Sequence, residues 1–236
     1  IKYRSSPNCH PIGGRAMRVA IISDTHNMIR TELKAYLEGC ELILHAGDIS
    51  KPEILDALKA YAPVYVVRGN NDRQWAEEIP YTRTFELGGI NFFMIHKVHE
   101  RPRDLRSQGV DVVIYGHTHK YDDHEEDGMR FLNPGSCGPR RFTQPITMML
   151  AEIGDGKIEV EKIEIPHTPT KTLVKSMPPD MPIIVSRAVR DIKRNKSVQE
   201  IADRNGISVE LSELICRLYL THPGIDVDGI VRKMGL

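Results

Sequence analysis

The first third of the chain alternates short apolar runs rich in branched residues with amphipathic stretches. The apolar runs predict β-strands over residues 18–23, 42–46 and 64–68, and the amphipathic stretches predict helices over 30–38 and 52–61. Strands and helices that alternate in this way are typical of βαβ units, whose strands are buried in a parallel sheet. The fold class expected from this pattern is α/β.

The pattern changes in the middle of the chain. Further strands are predicted over 84–87, 91–96, 112–115, 129–132, 147–153 and 157–165, with a short helix near 103–107. Because no helical pattern separates the last three strands, a second, more antiparallel sheet packed on the first is the simplest arrangement. The acidic run DDHEED over 122–127 is interpreted as a solvated hairpin turn.

The ends of the chain fall outside this pattern. Residues 166–182 hold five prolines without sustained periodicity, which indicates a linker between a domain over 17–165 and a small all-helical module over 183–236. Residues 1–16 precede Met17 and are interpreted as a leader, whose native or artificial origin stays open.

The predicted module has two notable features. Residues Ala202, Gly206 and Ser208 have the spacing of a helix-turn-helix unit, and one more helix is predicted over 227–234. An earlier helix would have apolar residues on one face and a basic opposite face formed by Arg187, Arg190 and Arg194.

Composition excludes several classes of protein. The 236 residues are 40% hydrophobic and 27% charged with a net charge of zero, which is typical of a globular protein and gives no sign of a polyanionic partner. No apolar run approaches the roughly 18 residues of a membrane span. The four cysteines lie far apart, so neither a disulfide framework nor a thiolate zinc site is expected. We expect a cytoplasmic protein without membrane association.

Candidate metal ligands follow five of the predicted strands. In chain order the residues are Asp24 and His26, Asp48, Asn70 with Asn71, His96, and finally His117 and His119. Each residue alone is more often a turn cap or a hydrogen-bonded side chain than a ligand. Together they favour a metal site, because open α/β sheets bind ligands at the carboxyl ends of their strands. Gly47, Gly69 and Gly116 precede ligands and allow positive φ or close backbone approach.

This ordered set resembles the calcineurin-like metallophosphoesterase superfamily. The segment NPGSCGPR over 133–140 is similar to the small YfcE-type phosphodiesterase branch, and the resemblance covers about residues 17–165. It implies a two-sheet αββα sandwich and a metal-dependent phosphodiesterase. It also implies one metal held by Asp24, His26, Asp48 and His119, and a second held by Asp48, Asn70, His96 and His117, so that Asp48 bridges the two.

The residue types agree with this chemistry. Carboxylate, carboxamide and imidazole ligands suit Mn²⁺, which we expect, or Fe²⁺, Co²⁺, Ni²⁺ or Zn²⁺. Two such ions can generate a bridging hydroxide near neutral pH, with Asp48 and His117 in the catalytic centre, so no serine or cysteine nucleophile is required. The expected substrate is a small phosphate ester.

Two positions depart from the superfamily pattern. Many members have a histidine where this chain has Asn71, and an amide cannot protonate a leaving group, so diesters with good leaving groups are favoured. Asn71 could still contact a phosphate oxygen. Lys97 stands where relatives often have glycine. His99 and Arg140 are candidate substrate contacts, with a solvated side chain and a surface salt bridge as the respective alternatives.

Several roles stay open. His45 is interpreted as a support for a metal-bound carboxylate or a packing residue, and Asp72 could orient Asn71 or cap a turn. The helical module could support a homo-oligomer. DNA binding is disfavoured, since residues 209–220 contain one arginine, Arg217.

Two other functions are considered. The first is a non-catalytic protein-binding scaffold, similar to the retromer subunit of this fold whose metal centre has decayed; here all seven ligand positions are filled. The second is a DNA-directed regulator or nuclease that uses the C-terminal helices.

Overall fold

The computed structural model describes residues 16–140, 144–166, 180–222 and 224–234, and these form two units. The first unit contains the described residues up to 138 together with 144–165; the second contains the rest. Most of the predicted leader and linker lies outside the described residues, and the domain boundaries stay predictions.

Apart from the helix near 103–107, the predicted strands and helices of the first unit are present with ends that differ by one or two residues, and one strand that was not predicted, β7, joins them. In chain order they are β1 (Met17–Ile22), α1 (Thr31–Leu37), β2 (Leu42–His45), α2 (Pro52–Lys59), β3 (Val64–Val66), β4 (Thr82–Leu87), β5 (Ile90–Ile95), β6 (Val112–Ile114), β7 (Tyr121–Glu126), β8 (Met129–Pro134), β9 (Ile146–Gly154) and β10 (Lys157–Ile165).

The strands form two mixed sheets of five strands each. The first sheet has the order β10-β9-β1-β2-β3, in which β1, β2 and β3 are parallel. The second has the order β4-β5-β6-β8-β7, with β5, β6 and β8 parallel. The two sheets and their flanking helices confirm the expected α/β sandwich. Parallel strands in both sheets provide the carboxyl ends at which the candidate ligands lie.

Alternating side chains explain why the sheets stack. Ile21 of β1 is fully buried with Phe92 of β5 in the core between the sheets, whereas the next residue, Ile22, is buried in the core that includes α1 and α2. On its other face, the second sheet buries Phe93 and Phe131 in a separate cluster with Leu105 of the loop before β6. Each sheet therefore covers two hydrophobic layers.

Three predictions for the first unit were wrong. Residues 103–109 form turns instead of a helix, and a 3-10 turn lies earlier, at Val98–Glu100. The acidic run DDHEED is mostly strand β7, because it pairs with β8 at the sheet edge, where both faces can carry polar residues. Strands β9 and β10 were expected in the second sheet. They instead extend the first sheet, since β9 pairs with β1.

The second unit contains helices α3 (Met181–Lys193), α4 (Val198–Asn205), α5 (Val209–Thr221) and α6 (Val227–Met234). The last has the predicted bounds, whereas α3 begins inside the predicted linker. A capping box at Ser197 starts α4, Gly206 ends it with φ 62°, and Ser208 caps α5, which produces the predicted helix-turn-helix. The middle of α5 is buried in the unit's own core.

No described helix combines the length and apolarity that crossing a membrane requires. The cysteines of the described part, Cys40, Cys137 and Cys216, are free and buried.

Replacing Phe92 with alanine should destabilise the first unit strongly. The ring is fully buried and stacks on Phe85 at 5.2 Å, so its removal leaves a cavity between the sheets. Urea unfolding should show a loss of about 3–5 kcal/mol. Glu86→Ala, an exposed change on the neighbouring strand, should shift the free energy of unfolding by less than about 0.5 kcal/mol. Equal effects of both changes would contradict the described core.

Candidate metal centre

The loops after the parallel strands of the two sheets meet at one end of the sandwich. The amide of Asp24, after β1, donates to the carbonyl of Gly47 after β2 at 3.0 Å. Across the sheets, Nδ1 of His96, after β5, lies 2.7 Å from the carbonyl oxygen of Ala46. The structure therefore brings side chains from both sheets to one place.

Asp24, His26 and His119 form the first cluster of potential ligands, with one atom of each within 4.8 Å of the others. Nε2 of His119 lies 3.1 Å from Oδ1 of Asp24 and 3.3 Å from Nε2 of His26. Asp24 and His119 are buried, and His26 is partly exposed. This cluster contains three of the four ligands predicted for one metal.

Asp24, Asp48 and His96 form the second cluster. Nε2 of His96 lies 3.4 Å from Oδ1 of Asp48 and 3.2 Å from Oδ1 of Asn70. The other carboxylate oxygen of Asp48, Oδ2, lies 3.7 Å from Nε2 of His26. Asp48 thus has one oxygen toward each predicted ligand group, which is the position that a bridging carboxylate requires.

Hydrogen bonding leaves the correct atoms available to a cation. Because Nδ1 of His96 donates to Ala46, the ring atom that faces Asp48 and Asn70 is Nε2. Oδ1 of Asp24 is buried without a hydrogen-bond partner among the described residues, although Nε2 of His119 is close. A buried carboxylate oxygen of this kind, beside imidazole and carboxamide atoms, fits a divalent cation of intermediate hardness.

Both carboxyl groups are held in the ionised form. Burial alone would raise the pKa of Asp48, but the hydrogen bond and the charge of His96 outweigh it and bring the pKa below its usual range. Burial also acts to raise the pKa of Asp24, and His119 likewise reverses the effect, so this pKa is lowered too. Near neutral pH both carboxyl groups are therefore ionised.

Five predicted ligands have a strained backbone. Positive φ angles, uncommon for residues other than glycine, occur at Asp24 (54°), His26 (43°), Asp48 (59°), His117 (70°) and His119 (58°). Such conformations cost about 1–3 kcal/mol each and persist where the surrounding structure enforces them, typically at functional sites. Sequence reasoning assigned positive φ to the preceding glycines instead.

Two of those glycines are required for close approach. A Cβ atom on Gly69 would lie 2.2 Å from both the amide nitrogen and Oδ1 of Asp48. A Cβ atom on Gly116 would lie 2.0 Å from Oγ of Ser23 and 2.9 Å from Oδ2 of Asp24. Of the three, Gly47 alone has positive φ, at 94°.

Asp72 supports the loop that carries Asp48. Its carboxylate accepts hydrogen bonds from four backbone amides, those of Asp48 (3.0 Å), Ile49 (2.8 Å), Ser50 (2.7 Å) and Gly69 (2.8 Å). The sequence suggested a turn cap or a contact to Asn71, and the cap is the part that the structure contains. The bonds to residues 48–50 carried no signal in the sequence, because they link segments more than twenty positions apart.

His45 is a buried neutral support. The amide of Gly47 donates to its Nδ1 at 3.1 Å, so Nε2 carries the proton and donates to Oγ1 of Thr25 at 3.0 Å. Burial lowers the pKa of His45 to about 4. The side chain ties the loop after β1 to β2 without adding charge.

The segment NPGSCGPR holds two of the ligand loops. Oγ of Ser136 donates to the carbonyl of Asp24 at 3.0 Å, and Nδ2 of Asn133 donates to the carbonyl of Gly116 at 3.0 Å. Cys137 is fully buried, and burial raises the pKa of its thiol to about 12, which makes it unsuitable as a nucleophile.

The other predicted site residues are placed differently. Asn71 donates from Nδ2 to Oδ2 of Asp48 at 2.6 Å, and the ring of His117 lies 5.3 Å from that of His96, outside both clusters. His99 is 68% exposed, with its ring 6.4 Å from that of His117. Arg140 belongs to the second unit, where its backbone amide donates to Glu213 at 2.9 Å.

A pocket of about 230 Å³ borders the second cluster. It shares His96 with the cluster, and its wall also includes Asn70, Arg68, Tyr81 and Lys97. The guanidinium of Arg68 lies 5.2 Å from the ring centre of Tyr81, whose side chain is exposed. The pocket offers cationic and aromatic surface beside the carboxylates.

Comparison with known proteins agrees with this arrangement. The sequence model of the calcineurin-like phosphoesterase superfamily domain matches residues 17–156, and the chain belongs to this superfamily. A probable metallophosphoesterase of Methanothermobacter thermautotrophicus is 39% identical over 159 residues, which cover 62% of this chain and 92% of that protein. A phosphodiesterase of Methanocaldococcus jannaschii is 31% identical, over 51% of this chain and 84% of that one.

Solved structures contain the same fold. A single-mutant form of Vps29 from Entamoeba histolytica has a TM-score of 0.53 and 26% identity, and the match covers 64% of this chain and 100% of that chain. The family match and the sequence relatives support a hydrolase of the metallophosphoesterase class, with candidate metal-binding residues, and the Vps29 structure supports the fold.

Replacing Asp72 with asparagine should weaken metal binding, although the Asp72 carboxylate bonds to backbone amides and not to the side chain of a predicted ligand. An amide group provides one acceptor oxygen in place of two, so the loop of Asp48 loses hydrogen bonds. Calorimetric titration with Mn²⁺ should show affinity reduced about 10–100-fold. The control Asp56→Asn, whose side chain is 74% exposed, should leave affinity unchanged. Unchanged affinity in Asp72→Asn would show that this support is dispensable.

Proposed function

We propose that this protein is a phosphodiesterase that binds two divalent metal ions and hydrolyses a small phosphate diester. The observation that carries the proposal is the joined pair of clusters, in which the buried carboxylates of Asp24 and Asp48 face imidazoles from both sheets. Hydrolases with two-metal sites use such carboxylate and imidazole sets.

Asp24, His26, Asp48 and His119 would hold one ion, and Asp48, Asn70, His96 and His117 the other. When bound, the ions would lower the pKa of a water molecule and stabilise charge on the phosphoryl oxygens. We favour Mn²⁺ over Fe²⁺, Co²⁺, Ni²⁺ and Zn²⁺. His117 is the ligand with the least structural support, since its ring lies beside His96 but outside both clusters.

The chain's own residues have separate roles. Asp48 lies between His26 and His96, where its two carboxylate oxygens could contact both ions. Nδ2 of Asn71 donates a hydrogen bond to Oδ2 of Asp48 at 2.6 Å, which keeps the amide at the centre. There it can also orient a phosphate oxygen, but it has no acidic proton to give to a leaving group. His117 would face the phosphoryl group from the edge of the centre. The buried thiol of Cys137 takes no part.

The pocket beside Asn70 and His96 supports a diester as substrate. The pocket of about 230 Å³ can hold the ester group that does not leave, against Tyr81. Arg68 and Lys97, the latter paired with Glu100 at 3.1 Å, can attract the negative charge on the phosphoryl oxygens. His99, whose side chain is 68% exposed, and Arg140 stay predicted substrate contacts. A cytoplasmic location and a homo-oligomer through the C-terminal helices also remain predictions.

A protein-binding scaffold is the second candidate, and the similarity to Vps29 favours it. The filled ligand positions favour the enzyme. Strain at five ligand residues is hard to explain if the centre binds nothing, because relaxed residues there would make a scaffold more stable.

Turnover of bis-p-nitrophenyl phosphate should require a divalent metal, with Mn²⁺ the best activator. Asp48→Asn and His117→Ala should each lower kcat/KM by more than about 100-fold, because the ions stabilise the transition state by several kcal/mol. The matched control His124→Ala removes a histidine from β7, 43% exposed, and should retain activity. Metal-independent turnover that survives the first two changes would refute the mechanism.

Asn71 should make the rate depend steeply on the leaving group. A series of aryl methyl phosphodiesters with phenols of increasing pKa should show falling kcat/KM in the natural protein, because no group protonates the departing phenolate. Asn71→His should flatten that dependence, and Asn71→Ala should not. Parallel dependences for the natural protein and Asn71→His would remove this role.

A further inference from the structure

Four arginines surround one surface pocket of the second unit. The pocket has a volume of about 180 Å³ and is lined by Arg187, Arg190, Asp191 and Arg194 of α3 and its end, and by Arg204 and Asn205 of α4. The wall therefore carries four positive charges and one negative charge. None of these residues belongs to the metal centre.

The arginines of α3 share one face of the helix. Residues three and four positions apart lie nearly above one another, so Arg187, Arg190 and Arg194 fall within an arc of about 60° and a length of about 10 Å. Arg204 reaches the same pocket from α4. The four groups therefore converge on a single concave space, and are not spread along the surface.

The negative charge in the pocket is already engaged. Asp191 is 5% exposed, and its Oδ2 lies 3.4 Å from Nε of Arg204 and accepts a hydrogen bond from Asn205 at 3.2 Å. This carboxylate links α3 to α4 and positions Arg204. Within the described part of the chain, the side chains of Arg187, Arg190 and Arg194 form neither an ion pair nor a hydrogen bond.

Three unpaired guanidinium groups side by side repel one another, and an anion would relieve the repulsion. Cations near a helix C-terminus are favourable, which accounts for Arg190 and Arg194 at the end of α3 and for Arg204 at the end of α4, but gives no reason for Arg187 to join the same pocket. Guanidinium forks bind phosphate oxygens in pairs, and the compact volume suits one or two phosphate groups.

We propose that this pocket binds a phosphate monoester or diphosphate group. A monoester or diphosphate brings two or more negative charges to one point, as the excess positive charge requires, whereas each diester of a nucleic-acid backbone brings one. The group could belong to a free small molecule or to the phosphorylated end of a nucleic acid. The site is independent of the phosphodiesterase function.

Calorimetric titration of the full chain with inorganic diphosphate, in buffer with a chelator, tests the site. The double variant Arg190→Ala/Arg194→Ala should bind at least about tenfold more weakly than the natural protein. The control Arg232→Ala removes an exposed charge from α6 of the same unit and should change affinity less than twofold. Methyl sulfate, a monoanion with the shape of a phosphate monoester, should bind more weakly than diphosphate.

Equal diphosphate affinity in the double variant and in the control would overturn the proposal. Circular dichroism and the Tm check that the variants are folded, which their exposed, unpaired side chains lead us to expect.

A short single-stranded oligonucleotide with and without a 5′-phosphate distinguishes the two sources of the phosphate group. Binding that requires the 5′-phosphate supports a nucleic-acid end, and diphosphate binding alone supports a small molecule. Equal binding of both strands, lost in the double variant, would overturn the monoester assignment in favour of backbone contacts.

Discussion

Two carboxylates buried close together form the constraint on which the rest of the first unit depends. Asp24 is fully buried and Asp48 is 2% exposed, and withdrawing such charges from water costs several kcal/mol each unless positive charge faces them. The imidazoles of His96 and His119 satisfy part of this requirement, as the lowered pKa values of both aspartates indicate. Divalent cations would satisfy it more fully, and the donor set suits them.

The loops around the two carboxylates are held in place by several further contacts. Asp72 collects four backbone amides, His45 ties two loops together as a neutral ring, and Ser136 holds the carbonyl of Asp24. These contacts stabilise loops in which five predicted ligands have positive φ, a conformation that is enriched at functional sites. The second unit shows the opposite electrostatics, because guanidinium groups line its pocket. The two units therefore offer separate sites for oppositely charged ligands.

Much of the first unit could be predicted, because the signal is local. Branched apolar runs revealed most of the strands, and polar residues directly after them revealed most of the candidate ligands. The strand β7 could not be recognised, since an exposed edge strand has polar residues on both faces. The pairing of β9 with β1, and the bonds from Asp72 to residues 48–50, depend on tertiary contacts that leave no local pattern. Likewise, the backbone strain falls on the ligands themselves, which glycine positions alone do not show.

The most direct test of the central claim is anomalous diffraction from crystals of the full chain grown with Mn²⁺. The account predicts two strong peaks, one beside Asp24, His26 and His119 and the other beside Asn70 and His96, with the carboxylate of Asp48 between them. A structure with no peak at these side chains, or with a single peak and Asp48 turned away from it, would contradict the paired metal centre.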